Sequence, residues 1–264
     1  MDPYFPYLSE YERYPFPKPD AYLSECDSII ALGGNLSPGM LLSAYEQGIF
    51  PWYNPEDPIL WQSPDPRMVL FPEKLHIGTS MKKVLKKRCF EFTVDRDFKG
   101  VIRGCAEMFR PGQRGTWITE DIIAAYTELH RLGWAHSAES YRHGELVGGC
   151  YGIRLGKVFF GESMFAKHSN ASKAAFLSLA QRLFADGVAF IDCQVYTDHL
   201  ASLGAETLSR QAFLQLLQKT LAPRRQIPYT GDAKAFYTQS DGIDRRGSWA
   251  LTTLVDPSND ALYR

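Results

Sequence analysis

An α/β (α+β) fold is predicted: a small N-terminal α/β domain followed by a larger domain built on a mixed sheet. Three features carry this reading. Period-two alternation recurs in short runs after residue 90. Helical patterns with recognisable end signals lie between those runs. Residues 49–67 hold five prolines and two tryptophans and divide this region from what precedes it. The boundary is therefore placed after residue 65. Residues 1–65 form the small domain with a proline- and aromatic-rich connector, residues 66–264 the larger domain, and 221–264 a partly ordered C-terminal extension.

The first 25 residues, with prolines at 3, 6, 15, 17 and 19, are expected to be extended and to lack a core of their own. Gly33-Gly34 makes a turn. Ser37-Pro38 then reads as an N-cap with proline at the first helical position, opening a short helix that runs through Gln47 and is stopped by Gly48. Residues 49–67 read as an irregular connector. Residues 90–95 alternate as a strand, and 97–109 read as a helix. Thr119 caps a helix whose first turn holds Glu120 and Asp121 and whose end carries His130, Arg131 and then Gly133. Strands at 135–141, 145–153 and 158–165 follow as a meander, joined by turns at His143-Gly144 and Leu155-Gly156-Lys157. Asn170 can cap a helix over 171–186, with Phe176, Leu179, Ala180 and Leu183 on one face. A strand over 188–195 and a helix near 209–220 complete the set. The order β-α-α-β-β-β-α-β-α is that of the N-acetyltransferase-like (GNAT) fold, which makes the larger domain GNAT-like. In that fold an acyl-CoA pyrophosphate rests on a glycine-rich turn before the helix that follows the fourth strand. The corresponding residues 166–173, AKHSNASK, contain no glycine, which argues against an acetyl-CoA donor.

Composition narrows the function. The 264 residues are 45% hydrophobic and 22% charged with a formal net charge of −1, the profile of a soluble globular chain. No apolar run approaches the roughly 18 residues that span a bilayer. The acidic, proline-rich start reads as neither a signal peptide nor a transit peptide. Cys26, Cys89, Cys105, Cys150 and Cys193 are odd in number and never spaced as C-x-x-C, and the six histidines form no H-x-x-x-H pair. That pattern disfavours a disulfide framework or a metal site and fits a reducing cytoplasm. The near-neutral total hides an asymmetry: residues 1–60 carry 2 basic and 9 acidic side chains, residues 61–120 carry 12 and 7. The densest basic stretch is Lys82, Lys83, Lys86, Lys87 and Arg88. On a helix these residues form a stripe, either a solvated face or a grip for a polyanion.

Strand periodicity gathers one set of chemical groups. In the strand through residues 191–194, Asp192 and Gln194 share a face and Cys193 points away. In the strand through 158–164, Glu162 shares a face with Phe160 and Met164. Two carboxylates on otherwise apolar strands need partners. They are either a hydrogen-bonded structural pair or the lining of a pocket for a cation or an amine. Cys193 reads as a small core residue, since no histidine is placed to activate it, and Ser163 lacks the second glycine of a nucleophile elbow. Trp52, Trp61 and Trp117 fall in loops or at loop edges, where an exposed indole stacks on a nucleobase or simply packs between domains.

Several segments carry a family resemblance in order along the chain. These are Gly33-Gly-Asn-Leu-Ser-Pro, Tyr45-Glu-Gln-Gly-Ile-Phe-Pro-Trp-Tyr, Ile59-Leu-Trp-Gln-Ser-Pro-Asp-Pro-Arg, Gly115-Thr-Trp-Ile-Thr, Phe160-Gly-Glu-Ser-Met-Phe, Asn170-Ala-Ser-Lys and Ile191-Asp-Cys-Gln. Over about residues 29–220 the chain resembles the leucyl/phenylalanyl-tRNA–protein transferases. That resemblance implies transfer of leucine, phenylalanine or, less well, methionine from aminoacyl-tRNA to proteins with an N-terminal Lys or Arg, marking them for N-degron degradation. It implies no cofactor, no membrane, and a cytoplasmic monomer. Asp192 and Gln194 match the family's catalytic pair, and Glu162 its essential acid. Trp52 and Trp117 match the pair that holds the terminal adenosine. Cys150, Phe159, Gly161, Phe176, Leu179, Leu183 and Ile191 fall at substrate-pocket positions, and Lys83, Lys86 and Lys87 in the stretch that grips the acceptor stem. Three departures stand out: Gln62 replaces the second Trp of a usual pair, Cys150 stands where Met is common, and Thr79 where a basic residue is frequent. Alternatives are a GNAT-like acyltransferase with another donor, or a non-catalytic module binding tRNA or N-degrons.

Overall fold

The computed structural model describes residues 5–19, 28–108 and 116–221; the expected extension beyond residue 221, Cys26 and Gly115 lie outside the described residues. Residues 49–67, expected to be irregular, in fact contribute two strands. β1 (Ile29–Leu32) is followed by α1 (Pro38–Glu46), β2 (Phe50–Pro51) and β3 (Leu60–Gln62), and the three strands form an antiparallel sheet of order β1-β3-β2. Strands of two and three residues are too short to display alternation, and Pro51 sits on an edge strand, where its missing N–H costs no ladder bond. Ser37 stands at the N-cap of α1 but does not cap it: its hydroxyl accepts from the Leu8 N–H at 3.1 Å. Asn35 donates to the carbonyls of Phe5 and Pro6 and accepts from Ser37 N–H. These bonds hold the proline-rich segment 5–19, which has neither α-helix nor strand, against α1. A Cβ at Gly39 would fall 2.3 Å from the Ser9 carbonyl oxygen, so only glycine permits that approach. The segment contributes Leu8 and Phe16 to the common core.

The larger sheet comprises β4 (Arg67–Leu70), β5 (Glu91–Val94), β6 (Ala135–Arg142), β7 (Glu145–Leu155), β8 (Val158–Ala166), β9 (Phe190–Gln194) and β10 (Glu206–Leu208). Its order is β10-β4-β9-β8-β7-β6-β5. Between its strands run α2 (Thr79–Lys86), α3 (Phe98–Glu107), α4 (Glu120–Arg131), α5 (Ala171–Ala185) and α6 (Asp198–Ala201), with α7 (Arg210–Thr220) last. Local chemistry explains most boundaries. The side chains of Asp97, Thr119 and Ser209 accept from N–H groups of the first turns of α3, α4 and α7. Asn170 is a correction: it precedes α5 in the left-handed region (φ 69) and makes no side-chain cap. α2 is helical, so Lys82/Lys86 and Lys83/Lys87 do form an exposed stripe, opposite buried Met81 and Leu85.

Every neighbouring pair in this sheet is antiparallel except β8 and β9, which α5 joins as a crossover. The sheet is thus mixed, as predicted, with helices on both faces. One core cluster packs α1, α3, α4 and α7 with Tyr151, Phe160, Phe165 and Phe190; the other packs α2 and α5 with Cys150, Phe159, Ile191 and Cys193. The first cluster runs without a break into the three-stranded sheet through Trp61 and Phe50. β4 and β10 escaped the sequence reading. β10 is only three residues long, and β4 begins with an arginine that becomes fully buried.

Candidate functional site

The site forms where the single parallel pair comes apart. β8 and β9 are in register at Val158↔Phe190, Phe159↔Ile191 and Phe160↔Asp192, and the pairing ends there. Two local irregularities open the gap. Between Tyr151↔Ser163 and Gly152↔Gly161 the β7–β8 register slips by one, leaving Glu162 as the extra residue of a β-bulge. Its partner must be glycine, because a Cβ on Gly152 would lie 2.2 Å from the Phe160 carbonyl oxygen. At the end of β9, Gln194 takes a left-handed backbone (φ 62). The bulge overturns one expectation: Glu162 lies on the Phe160 side, but Met164 packs against the opposite cluster, since one inserted residue reverses the alternation.

Glu162 accepts from the Tyr45 hydroxyl at 2.7 Å, from Gln194 Nε2 at 2.7 Å and from the Tyr126 hydroxyl at 3.3 Å; the two tyrosine hydroxyls also bond to each other. Burial dominates its ionisation and lifts it to about 8, while the three donors pull the other way. The same burial raises both tyrosines. Because Nε2 of Gln194 faces Glu162, its Oε1 is left as an acceptor.

Asp192 is fully buried. Arg67 Nε and Nη2 donate to its two oxygens at 2.8 and 2.6 Å, and the Gln194 backbone N–H donates to Oδ1 at 2.9 Å. The guanidinium lies between the rings of Phe50 and Phe213, 4.7 and 4.6 Å from their centroids, and also donates to the Gly48 carbonyl. Asp192 therefore anchors the residue that follows the splay, and it lies behind the cleft instead of on its wall. Cys193 projects to the α5 side, where burial raises its thiol and its Sγ bonds to the Ile191 carbonyl.

The cleft between the parted strands has a volume of about 430 Å³. Trp52 and Trp117, both partly buried, stand on its wall with Glu162 and Gln194. Cys150, Phe159, Gly161 and Phe176 line its apolar part. Leu179, Leu183 and Ile191, expected in the pocket, are fully packed in the α5-side cluster behind it. Trp61 is no stacking platform: it is buried in β3 and donates Nε1–H to the Gly33 carbonyl at 2.8 Å. Gln62 bridges Ser28 Oγ and the Trp52 carbonyl, so the departure from a Trp-Trp pair tethers the Trp52 loop. Lys83, Lys86 and Lys87 are on exposed α2, away from the cleft wall. Sequence reasoning missed Tyr45, Tyr126 and Arg67. Tyr45 and Arg67 occur inside quoted segments and Tyr126 in the helix that Thr119 caps, but a helical tyrosine or a strand arginine shows its partner only after folding. Met164 and Leu200 also complete the wall.

A mixed sheet whose one parallel pair splays around a cleft, with a glutamine fixed by a buried acid, is the GNAT-like arrangement expected from the order of elements. The chain belongs to the leucyl/phenylalanyl-tRNA–protein transferase family: residues 69–218 match the family model "Leucyl/phenylalanyl-tRNA protein transferase" and residues 34–65 that of its N-terminal domain. Among similar proteins of that name, the one from Saccharophagus degradans is 52% identical over 206 residues, 78% of this chain and 84% of its own. The one from Myxococcus xanthus is 48% identical over 229 residues, 86% and 97% of the two chains. A solved GCN5-related N-acetyltransferase from Kribbella flavida aligns at 12% identity and TM-score 0.33 over 66% of this chain and 62% of that one. Among the described residues no helix is long and apolar enough to cross a membrane.

Proposed function

We propose that this enzyme moves leucine or phenylalanine, and methionine less well, from aminoacyl-tRNA to the N-terminal Lys or Arg of acceptor proteins. The product then carries a destabilising N-terminal residue and enters N-degron degradation in the cytoplasm. The observation that carries this reading is the Gln194–Glu162 hydrogen bond on the wall of an aromatic and apolar cleft. An aminoacyl ester is already activated, so the enzyme must only position the partners and remove a proton from the attacking amine. The amine nitrogen forms the new amide bond at the ester carbonyl, the bond to the ribose oxygen breaks, and the proton lost by nitrogen goes to that leaving oxygen. Gln194 Oε1 accepts from the amine, and Glu162 holds the Gln194 side chain through Nε2. Asp192 holds its backbone and acts as a positioning residue.

Trp52 and Trp117 sandwich the terminal adenosine, the surface every base offers to an indole. Cys150, Phe159, Gly161 and Phe176 receive the donor side chain. Leu179, Leu183 and Ile191 shape that wall from behind. Lys83, Lys86 and Lys87 contact the acceptor-stem phosphates. The acceptor's α-amine has an ordinary pKa of about 8, so near neutral pH much of it arrives as the ammonium. Glu162, lifted to about 8 by burial, is mostly neutral there, so it holds Gln194 without placing a negative charge beside the amine that would favour the ammonium form.

A single-turnover assay tests the whole reading. Purified protein is mixed with [14C]Phe-tRNA or [14C]Leu-tRNA and model proteins beginning with Arg, Asp or Met, without ATP or CoA. Label on the Arg-starting protein alone is the expected result. Label on none of them, or on all equally, rejects it.

A further inference from the structure

Trp52 stands on the wall of the reaction cleft, yet it is the first residue beyond β2, an edge strand of only two residues. Strand ends fray, and this strand is nearly all end. A bridge of side chains laid across the whole three-stranded sheet holds it. Gln62, in β3, donates Nε2–H to the Trp52 carbonyl at 2.6 Å, and its Oε1 accepts from Ser28 Oγ at 3.1 Å. The orientation of the amide is forced, since a carbonyl can only accept. Ser28, immediately before β1, is itself pinned, because its carbonyl accepts from Ser63 N–H at 2.7 Å. The Trp52 N–H donates to the Leu60 carbonyl at 2.9 Å, so β3 holds both polar groups of the Trp52 main chain. Trp117 is tied to the same loop. Its carbonyl accepts from the Thr119 N–H at 3.1 Å, and the Thr119 side chain bonds the hydroxyl of buried Tyr53, the neighbour of Trp52.

We infer that Gln62 is a positioning residue for the donor: it fixes the main chain of Trp52, and with it the gap between Trp52 and Trp117 that admits a nucleobase. The inference rests on the reading of aminoacyl-tRNA as donor and deepens it, by assigning the stiffness of the aromatic slot to a residue outside the cleft. Ordering a loop on binding costs conformational entropy, which a slot fixed in advance avoids. The effect falls on donor affinity and not on the chemical step. Glu162, Gln194 and Asp192 are held by Tyr45, by one another and by Arg67, none of which depends on the Gln62 amide.

Gln62→Glu tests it, with Gln62→Met as a second variant. Glutamate keeps the length and the bond from Ser28 but turns an acceptor toward the Trp52 carbonyl; methionine keeps the length without either bond. Steady-state transfer is measured with Phe-tRNA and with the short donor 3′-O-phenylalanyl-adenosine, varying donor and acceptor separately. The measurements are repeated in a Trp52→Ala background. Donor KM is expected to rise about tenfold in either variant, within what the loss of a base stack supplies, while kcat and acceptor KM stay within about twofold. Beside Trp52→Ala the same substitutions should change donor KM by less than about twofold, because the residue through which Gln62 acts is gone. Unchanged donor KM in both variants overturns the inference and leaves the transfer reaction standing. A fall in kcat alone, or a donor effect that persists in full beside Trp52→Ala, also overturns it. Urea unfolding shows whether each variant is folded, and if the glutamate disrupts the sheet the methionine variant decides. Absence of transfer by the unaltered protein defeats the reading of the donor and this inference with it.

Discussion

Replacing Glu162 by Gln removes one titrating group and keeps its shape, and the consequence for stability has a definite sign. Burial lifts this carboxyl from the ordinary 4.5 to about 8. Between those values the folded protein holds a proton that the unfolded chain has released. Stability therefore falls as pH rises through that window and levels off above about 8. With one extra proton bound, the slope is about 1.4 kcal/mol per pH unit and halves by pH 8, so the loss from pH 6 to pH 8 is about 2.3 kcal/mol. Glu162→Gln abolishes this component. Urea unfolding followed by tryptophan fluorescence at pH 6, 7, 8 and 9 gives the stability of both proteins, and titrations common to both cancel in their difference. The variant is expected to gain on the unaltered protein steadily up to pH 8 and no further. A difference that stays flat within about 1 kcal/mol across the series refutes a strongly raised Glu162, and with it the idea that the tyrosine-lined pocket holds a neutral acid near pH 7.

The other expectations follow from the same geometry. Gln194→Ala removes the proposed acceptor of the amine proton and should lower the single-turnover rate by about 10²–10³-fold with little change in donor affinity; a pure effect on acceptor KM would rule out that role. Asp192→Asn leaves the Arg67 guanidinium buried without its counter-charge and should cost about 3–5 kcal/mol in unfolding experiments, whereas Asp192→Asn combined with Arg67→Met should recover part of that loss. Additive costs in that double-mutant cycle would deny the coupling seen at 2.6 Å. Cys150→Met narrows the apolar part of the cleft and should shift the ratio of kcat/KM values from phenylalanine toward leucine by about tenfold, within the 1–3 kcal/mol that such differences supply.

Apart from the four-residue α6 and the three-residue β10, the secondary structure after residue 90 was legible because each signal there is local. Thr119 and Ser209 accept from the turns they precede, β6 to β8 alternate over eight or more residues, and one parallel pair follows from the crossover helix between them. Signals shorter than a period were lost: β2 and β3 have too few residues to alternate, and Asn170 has the composition of a cap without the backbone geometry for one. The types of residue that carry the site, and its placement on two neighbouring strands, were likewise determined by the sequence. Their pairing was not. Whether Glu162 faces Tyr45 and Tyr126 depends on a one-residue bulge opposite Gly152, and no periodic pattern encodes which residue a register will skip. Whether Asp192 is free for substrate depends on Arg67, 125 positions away, entering the core between two aromatic rings. Alternation and capping act within a few residues and survive in a linear text. Charge pairing, desolvation and the wall of a cleft are decided by contacts across the sheet, which exist only once the chain has closed upon itself.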